Sequence, residues 1–199
     1  MIYRYLFVGY SKNVHSIRCT QEPNYYVALA CKDNMVFMYV EANEKDVNPD
    51  ILAEGELIPY PDGKKWQRAS DIYHGSKPVS ESQWKRKIKN KEAFFTFNRL
   101  KPEKIASYIF YHFQNQEEHL GGGEQYGIIF SFFDMLIFYQ ERPEEIETIQ
   151  MEGLLKTSHT AELNWGELME EHFADSWHEI EMLETTDYIG FDYENFVLQ

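Results

Sequence analysis

Apolar residues gather in two dense runs that each read as a β-hairpin. Residues 26–41, YVALACKDNMVFMYVE, and 126–142, YGIIFSFFDMLIFYQER, are rich in Ile, Val, Phe, Tyr and Met, side chains that suit a half-buried pleated surface. Polar residues break each run near its middle: Lys32, Asp33 and Asn34 in the first, Asp134 in the second. The flanks are then of strand length. Asp33-Asn34 is good turn chemistry, because both residues tolerate positive φ; Phe133-Asp134 is poorer. A membrane-spanning helix over the second run fails, since a span needs about 20 apolar residues and Asp134 interrupts the run.

The pattern between these runs predicts shorter elements. Residues 2–10 read as a strand with Tyr3, Tyr5 and Phe7 on one face, and 14–20 as a strand or short helix. A long connection with Pro49, Pro59 and Pro61 follows. Trp66, Ala69, Ile72 and Tyr73 are spaced like one helical face and predict a short helix stopped by Gly75 and Pro78. Ser80 and Gln83 form a capping-box pattern that should start a helix over 81–90. Residues 93–98 read as a strand. Pro102 suits the first turn of a helix over 102–119, with Tyr108, His112 and Gln116 on one side and Gly121-Gly122-Gly123 as its C-cap. Asn164 and Glu167 make a second capping box, ahead of a stripe of Trp165, Leu168, Met169, His172 and Phe173. The tail, 188–199, reads as an edge strand or a core cover.

The two runs look like one motif used twice. Met35 matches Met135, Glu54-Gly55 matches Glu152-Gly153, Leu57 matches Leu155, Trp66 matches Trp165 and His74 matches His172, at offsets of 98–100 residues. Near-constant offsets predict a tandem repeat. The expected fold class is α+β: two similar halves, 1–90 and 91–199, packed as one compact unit, with antiparallel hairpins and flanking helices. The order strand, helix, hairpin, helix in the second half is compatible with a ferredoxin-like unit, and two of these would make an α+β barrel-like or extended-sheet arrangement. That likeness is one of fold and carries no function.

Charge narrows the function. The net charge of −14 argues against nucleic acid and anionic membrane, both of which need basic surface. Residues 63–104 hold twelve Lys and Arg against four acids, whereas 140–199 hold sixteen acids against Arg142 and Lys156. Such faces either attract each other, within the chain or in self-association, or dock a basic protein partner. Cys19 and Cys31 are the only cysteines and make no disulfide framework. Met1-Ile2-Tyr3-Arg4-Tyr5 lacks the basic start and apolar core of a secretory leader, so a cytoplasmic protein is expected.

Candidate chemistry rests on histidine and tryptophan. No H-E-x-x-H, G-x-S-x-G or phosphate-binding glycine motif is present. His172, Asp175 and Glu179 are the best-spaced metal candidates, but a buried histidine bonded to a neighbour accounts for such a residue more simply, and no metal or cofactor is expected. His74 and His172 each follow a tryptophan, Trp66 and Trp165, by seven or eight residues. If equivalent residues converge, these four would line a small-molecule site between the halves, with the histidines moving protons. The competing and leading expectation is a non-enzymatic binding or interaction protein, of adaptor, inhibitor or immunity type, with an acidic C-terminal surface.

Overall fold

The computed structural model describes residues 2–22, 24–118, 123–147, 153–176 and 180–190. The chain is mixed α+β with mostly antiparallel sheets and few helices, and it divides into two compact units. Unit 1 holds residues 1–69, 78–89 and 183–199; unit 2 holds 70–77 and 90–182. No described helix is long and apolar enough to cross a membrane.

Unit 1 begins with strand β1 (Tyr3–Tyr10), a 3-10 turn (Val14–Ser16), and β2 (Arg18–Cys19). The first apolar run then forms β3 (Tyr25–Lys32) and β4 (Met35–Ala42), joined in register at Lys32 and Met35. Asp33 adopts the positive φ of 54° that the turn requires. After β5 (Ala53–Glu54), which pairs with β2, comes β6 (Gln67–Arg68). The sheet order is β12-β3-β4-β1-β6, where β12 is Glu184–Ile189. One face packs Tyr5, Phe7, Val27, Leu29, Met38 and Val40 against Val14, Ile17, Leu52 and Trp66. Trp66 lies so close to Gly9 that a Cβ there would sit 2.8 Å from its ring.

On β4, Glu41 is wholly buried. Its carboxylate accepts from the Tyr39 hydroxyl at 2.8 Å, from Trp84 Nε1 at 3.0 Å and from both terminal nitrogens of Arg86 at 2.7 and 3.0 Å. Burial alone would raise its pKa; Arg86, Arg4 and Tyr39 outweigh that and hold it below the usual carboxylate value. Trp84 closes α1 (Glu81–Trp84), which is capped as expected by Ser80 Oγ but is four residues long rather than ten.

Unit 2 begins with β7 (Ser70–His74). The stretch expected to be a helix at Trp66–Tyr73 is therefore strand: β6 and β7 gain ladder partners in β1 and in β9 (Ile128–Phe132), which outweigh a four-residue helical spacing. Then follow β8 (Glu92–Arg99), helix α2 (Ile105–Glu118) entered through Pro102, β9, β10 (Met135–Arg142), α3 (Trp165–Glu170) and β11 (Glu181–Met182). The sheet order is β11-β8-β10-β9-β7. The helix α3 starts at Asn164 as expected, but Asn164 makes no side-chain cap bond. The glycines 121 and 122 and the outer tail, 191–199, lie outside the described residues.

The two sheets share registers. Met135 stands opposite Phe132 as Met35 stands opposite Lys32, and Phe133 repeats the φ of 54° seen at Asp33. Tyr139 donates to Glu141 at 2.8 Å, as Tyr39 does to Glu41. Leu100 N–H bonds Asp134 O as Ser11 N–H bonds Asn34 O. Ser70 faces Ser131 where Glu184 faces Cys31, and both edge strands then slip by one residue. That edge-strand match runs in the opposite sense, with the unit 2 strand 114 residues before its unit 1 counterpart, and not 98 or 99 residues after it as expected for Trp66 and Trp165 and for His74 and His172. Trp66 precedes a strand and Trp165 opens a helix.

Candidate ligand cavity in unit 2

Strands alternate their side chains across a sheet, so Thr96, Asn98, Leu136 and Phe138 share one face of unit 2. Helices α2 and α3 meet that face through Tyr108, Trp165 and Met169, and Phe173, just past α3, joins them. The helix α3 has six residues and spans about 9 Å at 1.5 Å per residue, less than the strands beneath it. A space of about 180 Å³ is left, lined by Asn98, Tyr108, His112, Leu136, Trp165 and Phe173 among others. Its wall is mostly apolar and aromatic, the usual make-up of small-molecule sites, although it is smaller than sites for drug-sized ligands.

Two polar groups stand in this wall with hydrogen-bonding capacity to spare. Asn98 is 9% exposed. Its Oδ1 accepts from Arg99 N–H at 2.7 Å, which fixes the amide orientation, and its buried Nδ2 has no partner among the described residues. A buried donor without an acceptor costs about 1–3 kcal/mol. His112 is buried, with its ring stacked 4.1 Å from Tyr108 and edge-on to Trp165 at 5.0 Å. Its Nδ1 faces the Tyr108 carbonyl at 3.0 Å. Burial, helped by the nearby His172 and opposed by that carbonyl bond, pulls its pKa down to about 4. The ring is then neutral near pH 7, Nδ1 carries the proton and donates it, and Nε2 is left as an acceptor. Asn98 thus offers a donor, and His112 an acceptor, among the aromatic walls.

Of the four residues singled out by sequence, His74, Trp165 and His172 belong to unit 2 and Trp66 to unit 1. Trp165 lines this cavity. His172 lies beside it, fully buried; Nδ1 faces Leu168 O at 2.8 Å and Nε2 faces Ser107 Oγ at 2.9 Å. With both ring nitrogens engaged, His172 joins α3 to α2, and its Nε2 is already taken up by the Ser107 hydroxyl. Asp175 is exposed and Glu179 lies outside the described residues. His74 borders another cavity, of about 410 Å³, with Asp71, Phe110, Phe113 and Gln116. There its Nδ1 meets Asp71 at 2.9 Å and its backbone N–H bonds Gln116 Oε1. Ser107 and Gln116 are nine positions apart on α2, about 13 Å along its axis, so the two histidines serve different parts of the unit. Trp66 belongs to the core of unit 1. Sequence reading passed over Asn98; its one signal was a polar residue ending an apolar strand.

Part of the charge is used internally. Glu141, Glu145 and Glu147 are buried despite their place in the acidic segment. Glu145 pairs with Lys91 at 3.4 Å, Glu147 accepts from Ser76 Oγ at 2.7 Å, and Lys104 pairs with Glu171 at 3.1 Å. Several basic residues of 63–104 therefore have acidic partners inside their own unit.

No protein-family model, no curated protein and no solved structure matches this chain.

Proposed function

We propose that the protein is a non-catalytic cytoplasmic binding protein, built from two copies of a ferredoxin-like unit, whose second copy takes a small flat apolar ligand bearing one hydrogen-bond acceptor and one donor. The orphaned Nδ2 of Asn98 in an aromatic cavity carries the reading. A donor desolvated at that cost persists where something accepts from it, and His112 Nε2 supplies the complementary acceptor. The duplication is supported by the shared registers. The ferredoxin-like reading is supported by the order β11-β8-β10-β9 in unit 2 and β6-β1-β4-β3 in unit 1: numbering only these four strands of each unit along the chain, and leaving out β7, β12 and the β2–β5 pair, the order is fourth, first, third, second. The free, buried state of both cysteines suits a reducing compartment.

The interaction reading, in which the acidic surface docks a basic protein or a second copy, is the weaker one, because buried carboxylates and pairs within each unit account for part of the charge.

Benzamide is a suitable probe, with one aromatic ring, a carbonyl for Asn98 and an N–H for His112. Calorimetric titration should show saturable one-site binding, weakened about tenfold by Asn98→Ala and by His112→Phe, since a buried hydrogen bond contributes about 1–1.5 kcal/mol. Absence of saturable binding to the wild type, or unchanged binding by both variants, overturns the proposal.

A further inference from the structure

We infer that His15, Cys31 and Glu184 form a binding site for a zinc-class divalent cation in unit 1. The three come from separate elements: the 3-10 turn, the end of β3 and the start of β12. Their ligand atoms lie within 4.8 Å of one another, with His15 Nδ1 3.9 Å from Glu184 Oε1. Glu184 stands directly opposite Cys31 in the β12–β3 ladder, and His15 is held over that end of the sheet by Val14 and Ile17, both packed in the core.

The donor set has a definite preference. A thiolate and an imidazole favour zinc over magnesium or calcium, and the carboxylate is the third kind of side chain that zinc accepts. Zinc bonds of about 2.0–2.3 Å at tetrahedral angles put ligand atoms about 3.3–3.6 Å apart. Closing from the observed spacing takes about 1 Å of side-chain movement. The His15 and Glu184 side chains are 62% and 67% exposed and can rotate to supply it, while Cys31 is the fixed, buried point. Two anions and a neutral imidazole balance a dication, and a fourth position stays open to water. Without a cation, burial and the adjacent Glu184 push the Cys31 thiol pKa up; a bound dication reverses that electrostatic balance and releases the thiol proton to solvent.

Unit 2 provides an internal comparison. At the matching register position it has Ser70 opposite Ser131, so the fold itself does not demand Cys and Glu there. A cation bound in unit 1 would fasten the edge strand β12 to β3 and to the turn that carries His15.

The test uses the full chain, reduced and stripped of metal, titrated with cobalt(II). One equivalent should bind, with a thiolate-to-cobalt charge-transfer absorption in the near ultraviolet and the intense visible bands of a four-coordinate ion. Cys31→Ser should abolish the charge-transfer absorption, and Cys19→Ser should keep it. The surface change His15→Ala, which leaves the core intact, should weaken binding at least tenfold. Zinc should displace cobalt stoichiometrically. No charge-transfer absorption in the wild type, its survival in Cys31→Ser, or binding by His15→Ala as tight as the wild type overturns the inference.

Discussion

Replacing Arg86 by Met should be among the most damaging single changes in unit 1. The guanidinium makes two bonds of 2.7 and 3.0 Å to Glu41, which is fully buried, and lies 4.4 Å over the Tyr26 ring. Met keeps the apolar bulk and removes the charge, so the buried carboxylate keeps Tyr39 and Trp84 as neutral donors and the more weakly acting Arg4, but loses its bidentate partner. Removing one partner of a buried ion pair costs about 3–5 kcal/mol. At about 2–4 °C per kcal/mol for a chain of this size, the melting temperature should fall by about 6–20 °C. The loss has a pH signature. In the wild type the Glu41 pKa is depressed, so its stabilisation is present above the usual value of 4.5 and is lost as pH falls through the depressed one. In Arg86→Met burial dominates and raises that pKa; the destabilisation should then be largest near pH 7 and shrink as pH falls toward 4.5 and the carboxyl protonates in place. Urea melts followed by circular dichroism at several pH values measure both effects. Adding Glu41→Gln, a neutral amide that still accepts from Trp84, should restore more than half of the loss at pH 7. A loss below about 1 kcal/mol, or a double variant no more stable than Arg86→Met, refutes the assignment of this network as a buried charge pair.

Two further changes probe other parts of the fold. His112, with a pKa near 4 folded and 6.5 as its ordinary value, binds fewer protons folded than unfolded between those limits, so it should contribute a stability loss of roughly 3 kcal/mol as pH falls from 6.5 to 4; His112→Phe should flatten that slope in pH-resolved urea melts. Gly9→Ala drives a methyl into the Trp66 ring at 2.8 Å and should cost about 1–3 kcal/mol by overpacking, with a shifted tryptophan emission in the folded state.

Much of the hairpin framework could be read from local pattern, because register within a hairpin is a short-range property. The runs 26–41 and 126–142 each became two antiparallel strands, even though Phe133 must hold a positive φ that its side chain disfavours. Bonds from Leu100 N–H to Asp134 O and from Arg99 to the Asp134 carboxylate hold that poorer turn. The edge strands were another matter. Ser70–His74 is a strand because β9 pairs with it, and Glu184–Ile189 because β3 does; neither partner is near in sequence, and Trp66, Ala69, Ile72 and Tyr73 happen to fit a helical spacing. The same distance hid the sites. Trp165 and His112 showed as members of helical stripes, whereas Asn98 has meaning only once its amide is seen unpaired beneath α2, and His15, Cys31 and Glu184 meet only through the ladder that brings β12 beside β3.

The central claim is that Asn98 Nδ2 is a donor waiting for a ligand acceptor, and nuclear magnetic resonance of the Asn98 side-chain amide tests it most directly. On titration with benzamide, the two Asn98 amide protons should shift saturably, show cross-relaxation to the probe, and exchange with water more slowly, while other Asn and Gln side chains in the chain stay put. Amide protons of Asn98 that remain unshifted at benzamide concentrations that saturate any calorimetric signal, or that show contact only to an internal water, would contradict the account.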